Sequence, residues 1–183
     1  MSRGAARFRR RRWPWVVAAA LLGILIIADR SGWLLARRPD DMKVYDGAST
    51  LVARVVDGDT LEVRIPDRAH RRPATQVRLW GVDCPEAATR DRPAEPYADE
   101  ARALTEALTA SGPLTLRLEP HRTRGSYGRL LAYVELPDGG DLGEALLHAG
   151  LARADDRWPH ARLGRYDRFE REARDRGEGI WSP

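Results

Sequence analysis

Residues 51–65 read LVARVVDGDTLEVRI, two β-rich runs on either side of an Asp-Gly step. In the second run Leu61, Val63 and Ile65 alternate with Glu62 and Arg64, the period of a strand with one buried face. Asp-Gly between such runs is a strong hairpin signal, because the turn needs backbone conformations that Gly adopts freely and Asp tolerates. The segment predicts strands over 51–56 and 60–65, joined through the turn DGDT.

Working outward, residues 76–81 read as a third strand after a loop rich in Arg and Pro. Residues 97–110 predict a helix, since Tyr97, Ala101, Leu104 and Leu108 recur at helical spacing and Ser111, Gly112 and Pro113 stop it. Residues 114–119 alternate again, and 129–136 form a fifth run closed by PDGG. Asp141 opens a further helix, with Glu144 as a capping-box partner, Leu142, Ala145, Leu146 and Ala149 as its stripe and Gly150 at its end. A last helix over 163–174 places Leu163, Tyr166, Phe169 and Ala173 on one side. Five short strands, with one helix between the third and fourth and two more after the fifth, predict an α+β domain over 49–183. The expected architecture is an OB-type five-stranded β-barrel with three helices.

The chain begins differently. Residues 13–28, WPWVVAAALLGILIIA, carry no charge and follow the basic run RFRRRR. A basic segment followed by an apolar one is a secretion signal or a retained anchor. Trp33, Leu34 and Leu35 lengthen the run toward the roughly 17 to 25 residues that span a bilayer. No small-residue cleavage site follows, which favours a transmembrane helix over a cleaved signal. Six arginines precede the span, so the amino terminus is expected inside and the domain beyond the membrane. The organisation read from sequence is a basic segment (1–12), an anchor or signal (13–36), a linker (37–48) and the folded domain.

Net charge is +4 and the pI about 9.7, but the excess is local. Residues 1–44 hold ten basic and three acidic side chains, leaving 21 basic and 24 acidic for the remainder. The folded part has no global positive field, so attraction for a polyanion would fall to bound cations or to local clusters. Arg68, Arg71 and Arg72 form one such cluster, and Arg122 and Arg124 another. Cys84 is the only cysteine, which excludes an intramolecular disulfide.

Asp59 lies in the DGDT turn, Arg78 and Asp83 lie in and just after the third strand, Glu86 follows the rigid Pro85, and Arg129 opens the fifth strand. Each alone has an ordinary explanation, since Asp and Gly favour turns for backbone reasons. Together they supply carboxylates for a hard cation, a carboxylate to handle water and planar guanidinium forks for a phosphate. Pro85 also keeps Cys84 extended. That set suits a metal-dependent phosphodiesterase.

DGDT, RLWGVDCPE (78–86), YGRLLAY (127–133), LGEALLHAGLA (142–152) and the closing GIW resemble, in order and spacing, the staphylococcal-nuclease-like (thermonuclease) family. The resemblance covers nearly the whole domain. It implies an OB-type barrel with three helices and calcium-dependent hydrolysis of DNA and RNA, breaking the 5′ P–O bond to leave 3′-phosphates. By motif position, Asp59, Asp83 and the Cys84 backbone carbonyl would hold Ca2+. Glu86 would act as general base or orient the water, and Arg78 and Arg129 would grip the phosphate. Tyr127 and Trp158 are the candidate substrate contacts. The expected partners are a nucleic acid and the membrane, the expected state a monomer.

Two positions depart from the family. Cys84 stands where threonine is common, which is tolerable if only its main-chain oxygen binds metal, because a thiol is too soft for calcium. Asp156 and Trp158 stand where the best-known members have two tyrosines; Trp158 can stack on a base and Asp156 cannot. Arg90 and Arg92, in the loop after the acidic motif, are either substrate contacts or solvated, and His121 is either a phosphate contact or an ordinary loop residue. A catalytically silent binding module on the same barrel, and a nuclease using another hard dication, are the competing readings.

Overall fold

The computed structural model describes residues 40 to 183. The proposed transmembrane anchor or signal lies outside the described residues. Among those described, no helix is long and apolar enough to cross a membrane.

The predicted hairpin is present. Strands β1 (Ser49–Thr50) and β2 (Val52–Asp57) are two halves of one run, and β3 (Thr60–Val63) returns along β2. β4 (Thr75–Leu79) pairs with β3, then β5 (Val82–Asp83) turns away. Helix α2 (Ala98–Thr109), β6 (Leu114–Arg117), β7 (Leu130–Glu135), α3 (Leu142–His148), β8 (Arg153–Ala154) and α4 (Leu163–Arg176) follow. A 3-10 turn over Gly179–Trp181 ends the fold.

The main sheet runs β1-β6-β7-β4-β3-β2, with β7 parallel to β4 and every other pairing antiparallel. Its two margins, β1 and β2, are consecutive in the chain. Leu51 is the hinge: before it the strand pairs with β6, and after it with β3. The sheet therefore closes on itself, giving five barrel strands once the halves are joined, as an OB-type fold requires. β5 and β8 form a small separate ladder.

The burial pattern explains which residues became strands. β4 alternates strictly, with Thr75, Val77 and Leu79 buried and Gln76 and Arg78 facing outward in part. β7 instead buries five successive residues. A strand covered on both faces reads as such a run, and here Tyr133 meets Tyr166 of α4 edge-on at 6.2 Å.

Three readings are adjusted. Residues 41–45, taken above as linker, form helix α1 (Asp41–Tyr45). Tyr45 is fully buried and donates to the Pro66 carbonyl at 3.3 Å; burying such a ring stabilises by about 1.5 to 3 kcal/mol. Four α-helices rather than three are thus present among the described residues. The buried face of α2 is Ala98, Ala101, Thr105 and Thr109, with Leu104 and Leu108 only partly buried beside it. Small residues are needed there because α2 packs directly on the DGDT turn.

The capping residue of α3 is Asp141, whose Oδ1 accepts the Glu144 N–H at 2.8 Å. Glu144 itself pairs with Arg165 of α4, so only half of the predicted capping box forms. Past α3, Gly150 and Gly179 both have positive φ and their backbones touch: a Cβ on Gly179 would lie 2.1 Å from the Gly150 carbonyl oxygen. Only glycine fits at that crossing, which locks the carboxyl terminus beside β8.

Candidate active site

The site is built where β3, β4 and β5 meet. The register of β3 and β4 sets Thr60 opposite Arg78, and Asp59 precedes Thr60 at the turn. Asp59 is 1% exposed. Gly58 allows this, since a Cβ there would lie 2.7 Å from the Ala101 Cβ and 2.8 Å from the Cys84 Sγ. The Thr105 hydroxyl donates to the Gly58 carbonyl at 2.6 Å, fastening the turn to α2.

Each oxygen of the Asp59 carboxylate is engaged. Oδ2 accepts the Cys84 N–H at 2.7 Å, and Oδ1 accepts the Thr60 hydroxyl at 3.0 Å and Arg78 Nη1. The second terminal nitrogen of Arg78 donates to Asp83 and, at 3.2 Å, to the Val82 carbonyl. Arg78 thus bridges Asp59 and Asp83, with two of its five N–H donors outside these bonds. Burial drives the Asp59 carboxyl above the usual carboxylate range against the opposing pull of Arg78, and Asp57 adds to the rise.

Arg129 reaches the same centre by one intermediary: its Nη1 donates to the Thr60 hydroxyl at 3.1 Å. Its guanidinium carbon is 5.7 Å from the ring centre of Tyr127, which is 86% exposed. Trp158 is half-exposed, and Arg122 lies over its ring at 3.9 Å. Asp59, Arg78, Asp83 and Arg129 are therefore brought together as expected.

Glu86 stands apart. Its side chain is exposed, Arg92 approaches it at 3.8 Å, and no hydrogen bond among the described residues joins it to Asp59, Arg78 or Asp83. Its backbone is fixed instead, accepting from the Glu95 N–H at 2.9 Å and donating to the Glu95 carboxylate at 3.1 Å. This neck closes the loop between them. The Cys84 thiol faces the core against Gly58, and burial raises its pKa. Only main-chain atoms of Cys84 are left to serve the site.

Sequence reasoning missed three participants. Asp57 accepts the Asp59 N–H at 3.2 Å and faces the buried carboxylate. Asp155 and Arg157 bind each other at 2.6 and 2.7 Å, and that pairing holds the Asp155 carboxyl below its usual value. Asp155 also feels Arg78, and Arg157 feels Asp83. The two-residue ladder of β5 and β8 brings this pair in, anchored by the Asp155 N–H on the Gly81 carbonyl at 2.9 Å. Strands that short leave no periodicity to read.

Two of the candidate arginines and one histidine take other positions. Arg124 is mostly buried and bonded to Asp41 and Asp67, so it is part of the scaffold. Arg92 meets Glu86. His121 packs near Trp80 with ring centres 6.0 Å apart and approaches Glu119 at 3.8 Å.

Residues 76–183 match the family described as Staphylococcal nuclease homologue. The chain belongs to the staphylococcal nuclease family. The SPbeta prophage-derived endonuclease YokF of Bacillus subtilis (strain 168) is 34% identical over 131 residues, covering 70% of this chain and 42% of that protein. Endonuclease YncB of the same organism is also 34% identical, covering 70% and 59%. The Thermonuclease of Staphylococcus hyicus is 33% identical over 133 residues, covering 72% and 74%. The chain spans less than two thirds of the length of both Bacillus relatives.

In this member of the staphylococcal nuclease family, the side-chain atoms at the centre able to ligate a cation are oxygens, of Asp57, Asp59, Asp83 and Thr60, the chemistry a hard dication takes. Among the described residues no three His, Cys, Asp or Glu side chains already form a cation cage. The charge balance nonetheless suits one. Asp57, Asp59, Asp83 and Asp155 face Arg78, Arg157 and, through Thr60, Arg129, an excess of one acidic side chain.

Proposed function

We propose that this protein is a nuclease that hydrolyses phosphodiester bonds of DNA or RNA, uses calcium, and is tethered to a membrane by its amino-terminal segment. The observation that carries the reading is the junction of Asp59 and Asp83 through Arg78, with Arg129 attached by Thr60. Family membership and the endonuclease names of the relatives support the reaction class.

In this reading Asp59 and Asp83, with the Cys84 main-chain carbonyl, would hold a calcium ion. Bound there, calcium supplies positive charge against the charge that develops on the phosphate oxygens. Arg129 and the remaining donors of Arg78 hold two of those oxygens, a planar match that lysine cannot provide. Both guanidiniums are fixed before substrate arrives, so they favour the more highly charged transition state over the ground state. Glu86 accepts the proton of the attacking water; its exposed carboxylate is free to meet solvent and is placed by the Glu95 neck. The water oxygen bonds to phosphorus as the 5′ P–O bond breaks, which leaves a 3′-phosphate, and the departing 5′-oxygen takes a proton from solvent.

The anchoring follows from residues 13–28 and the six arginines before them. It puts the catalytic domain on the extracytoplasmic side, or outside the cell if the segment is removed. The expected state is a monomer.

The deciding experiment incubates the full-length protein with plasmid DNA and with RNA in calcium, magnesium or chelator, and characterises the ends. Calcium-dependent cleavage to 3′-phosphates is expected. Binding without cleavage in any metal would instead identify a silent binding module. Protease treatment of intact cells should release the domain if it faces outward.

A further inference from the structure

Residues 67–72 form a tight hairpin beside the loop that carries Tyr127 and Arg129. Asp67 and Arg72 exchange two backbone hydrogen bonds of 3.0 Å. The buried Asp67 carboxylate accepts the Ala69 and His70 N–H groups at 3.1 and 3.3 Å and meets His70 Nδ1 at 2.9 Å. Arg71 holds a φ of +53°, a conformation uncommon for a residue with a Cβ. The tip is thus folded in advance.

Arg68, Arg71 and Arg72 project from this tip and are all exposed. The loop's own acid, Asp67, is already bonded to His70 and Arg124. No ion pair among the described residues neutralises the three guanidiniums. Arg124 ties the hairpin to the substrate loop, donating to Asp67 at 2.8 Å and to the Gly128 carbonyl at 3.0 Å. The His70 ring also lies against Gly128, where a Cβ would be 2.6 Å from Nε2. Gly128 sits between Tyr127 and Arg129. Three cations with no ion pair among the described residues therefore stand on a hairpin tied to the loop that carries Arg129, in a domain otherwise slightly acidic. At physiological salt screening acts over about 8 Å, so local charge decides where a polyanion lies.

We propose that the 67–72 hairpin is a phosphate-binding extension of the substrate track, contacting backbone phosphates of a nucleic-acid strand beyond the one held at Arg129. The inference rests on the nuclease reading and gives it a preference for polymeric over minimal substrates. No base contact is involved, so the binding is indifferent to sequence.

The test compares full-length wild type with a triple variant, Arg68→Gln, Arg71→Asn and Arg72→Gln, Asn being chosen at 71 because it tolerates left-handed backbone. Steady-state cleavage is measured on a labelled dinucleotide and on a long single-stranded oligonucleotide. The expected result is a KM for the oligonucleotide raised roughly tenfold at low salt, with kcat and all dinucleotide parameters unchanged. Binding of the oligonucleotide in chelator, followed by anisotropy, should lose about 2 from its log–log salt slope, near 0.7 per phosphate contact. An unchanged KM and slope would overturn the proposal, and so would equal losses on both substrates. If wild type cleaves neither substrate the nuclease reading fails, while the anisotropy comparison still decides the hairpin.

Discussion

Arg129 and Thr60 are joined over the intervening strand β4 by a 3.1 Å hydrogen bond from guanidinium to hydroxyl. The same hydroxyl donates to Asp59 at 3.0 Å, so one buried threonine orders both the acid and the arginine. Thr60→Val keeps the shape and removes both bonds. It should lower kcat by about 10- to 100-fold, a loss of roughly 1.4 to 2.7 kcal/mol of barrier stabilisation, comparable to one transition-state donor at the upper end. Thr60→Ser should recover most of it in the same plasmid-nicking assay.

Glu86 lies outside the bonded cluster, so replacing it should leave that cluster intact. Glu86→Ser is expected to preserve nucleotide affinity and melting temperature while reducing turnover by about 10²- to 10⁴-fold, the range of a general base. Titration calorimetry with a nucleotide, run beside single-turnover cleavage, separates the two. A parallel loss of affinity would remove Glu86 from the water-handling role.

Gly58 has no room for a side chain. Gly58→Ala would press a methyl group against Ala101 and the Cys84 sulfur, and overpacking of this kind costs about 1 to 3 kcal/mol. Urea unfolding should show the loss, and adding Cys84→Ala should recover part of it. Full additivity of the two substitutions would mean that they do not share the contact.

The pH dependence of stability should report on Asp67. Burial alone would raise its carboxyl, but hydrogen bonds from Arg124 and His70 outweigh this and hold it below the ordinary value. A depressed acid stabilises the fold above its unfolded pKa of about 3.9, and that contribution is lost as pH falls through the folded value. Melting curves of wild type and Asp67→Asn should therefore be well separated at pH 6 to 7 and converge in acid. Separation that persists unchanged below about pH 3 would assign the difference to packing instead.

The hairpin, the alternating strands and the two long helices were legible because each is a local pattern: period two in Leu61 and Val63, period 3.6 in Tyr166 and Ala173. The acids and arginines were legible as motifs. What stayed hidden depended on distant partners. Tyr45 was invisible as a core residue because α1 is five residues long and buries only that one ring. Thr105 and Thr109 were not recognisable as the packed face of α2, since a threonine's burial there follows from its bonds to Gly58 and to the helix backbone. Asp155 and Arg157 reach the site only through a ladder two residues long, and Arg124 changed from surface charge to internal tie once Asp41 and Asp67 met it.

The strand broken at Leu51 supplies both margins of the sheet, and its first half pairs Ser49 with Thr115. Assembly must therefore wait for the ends of a long stretch of chain to find each other, a slow step for any polypeptide. Until that seam shuts, β1 and β6 each lack a neighbour and can recruit a strand from another molecule. A cut made at this half-exposed leucine would leave β1 tied to the barrel only by non-covalent contacts, its ladder with β6 and the buried Tyr45 ring before it.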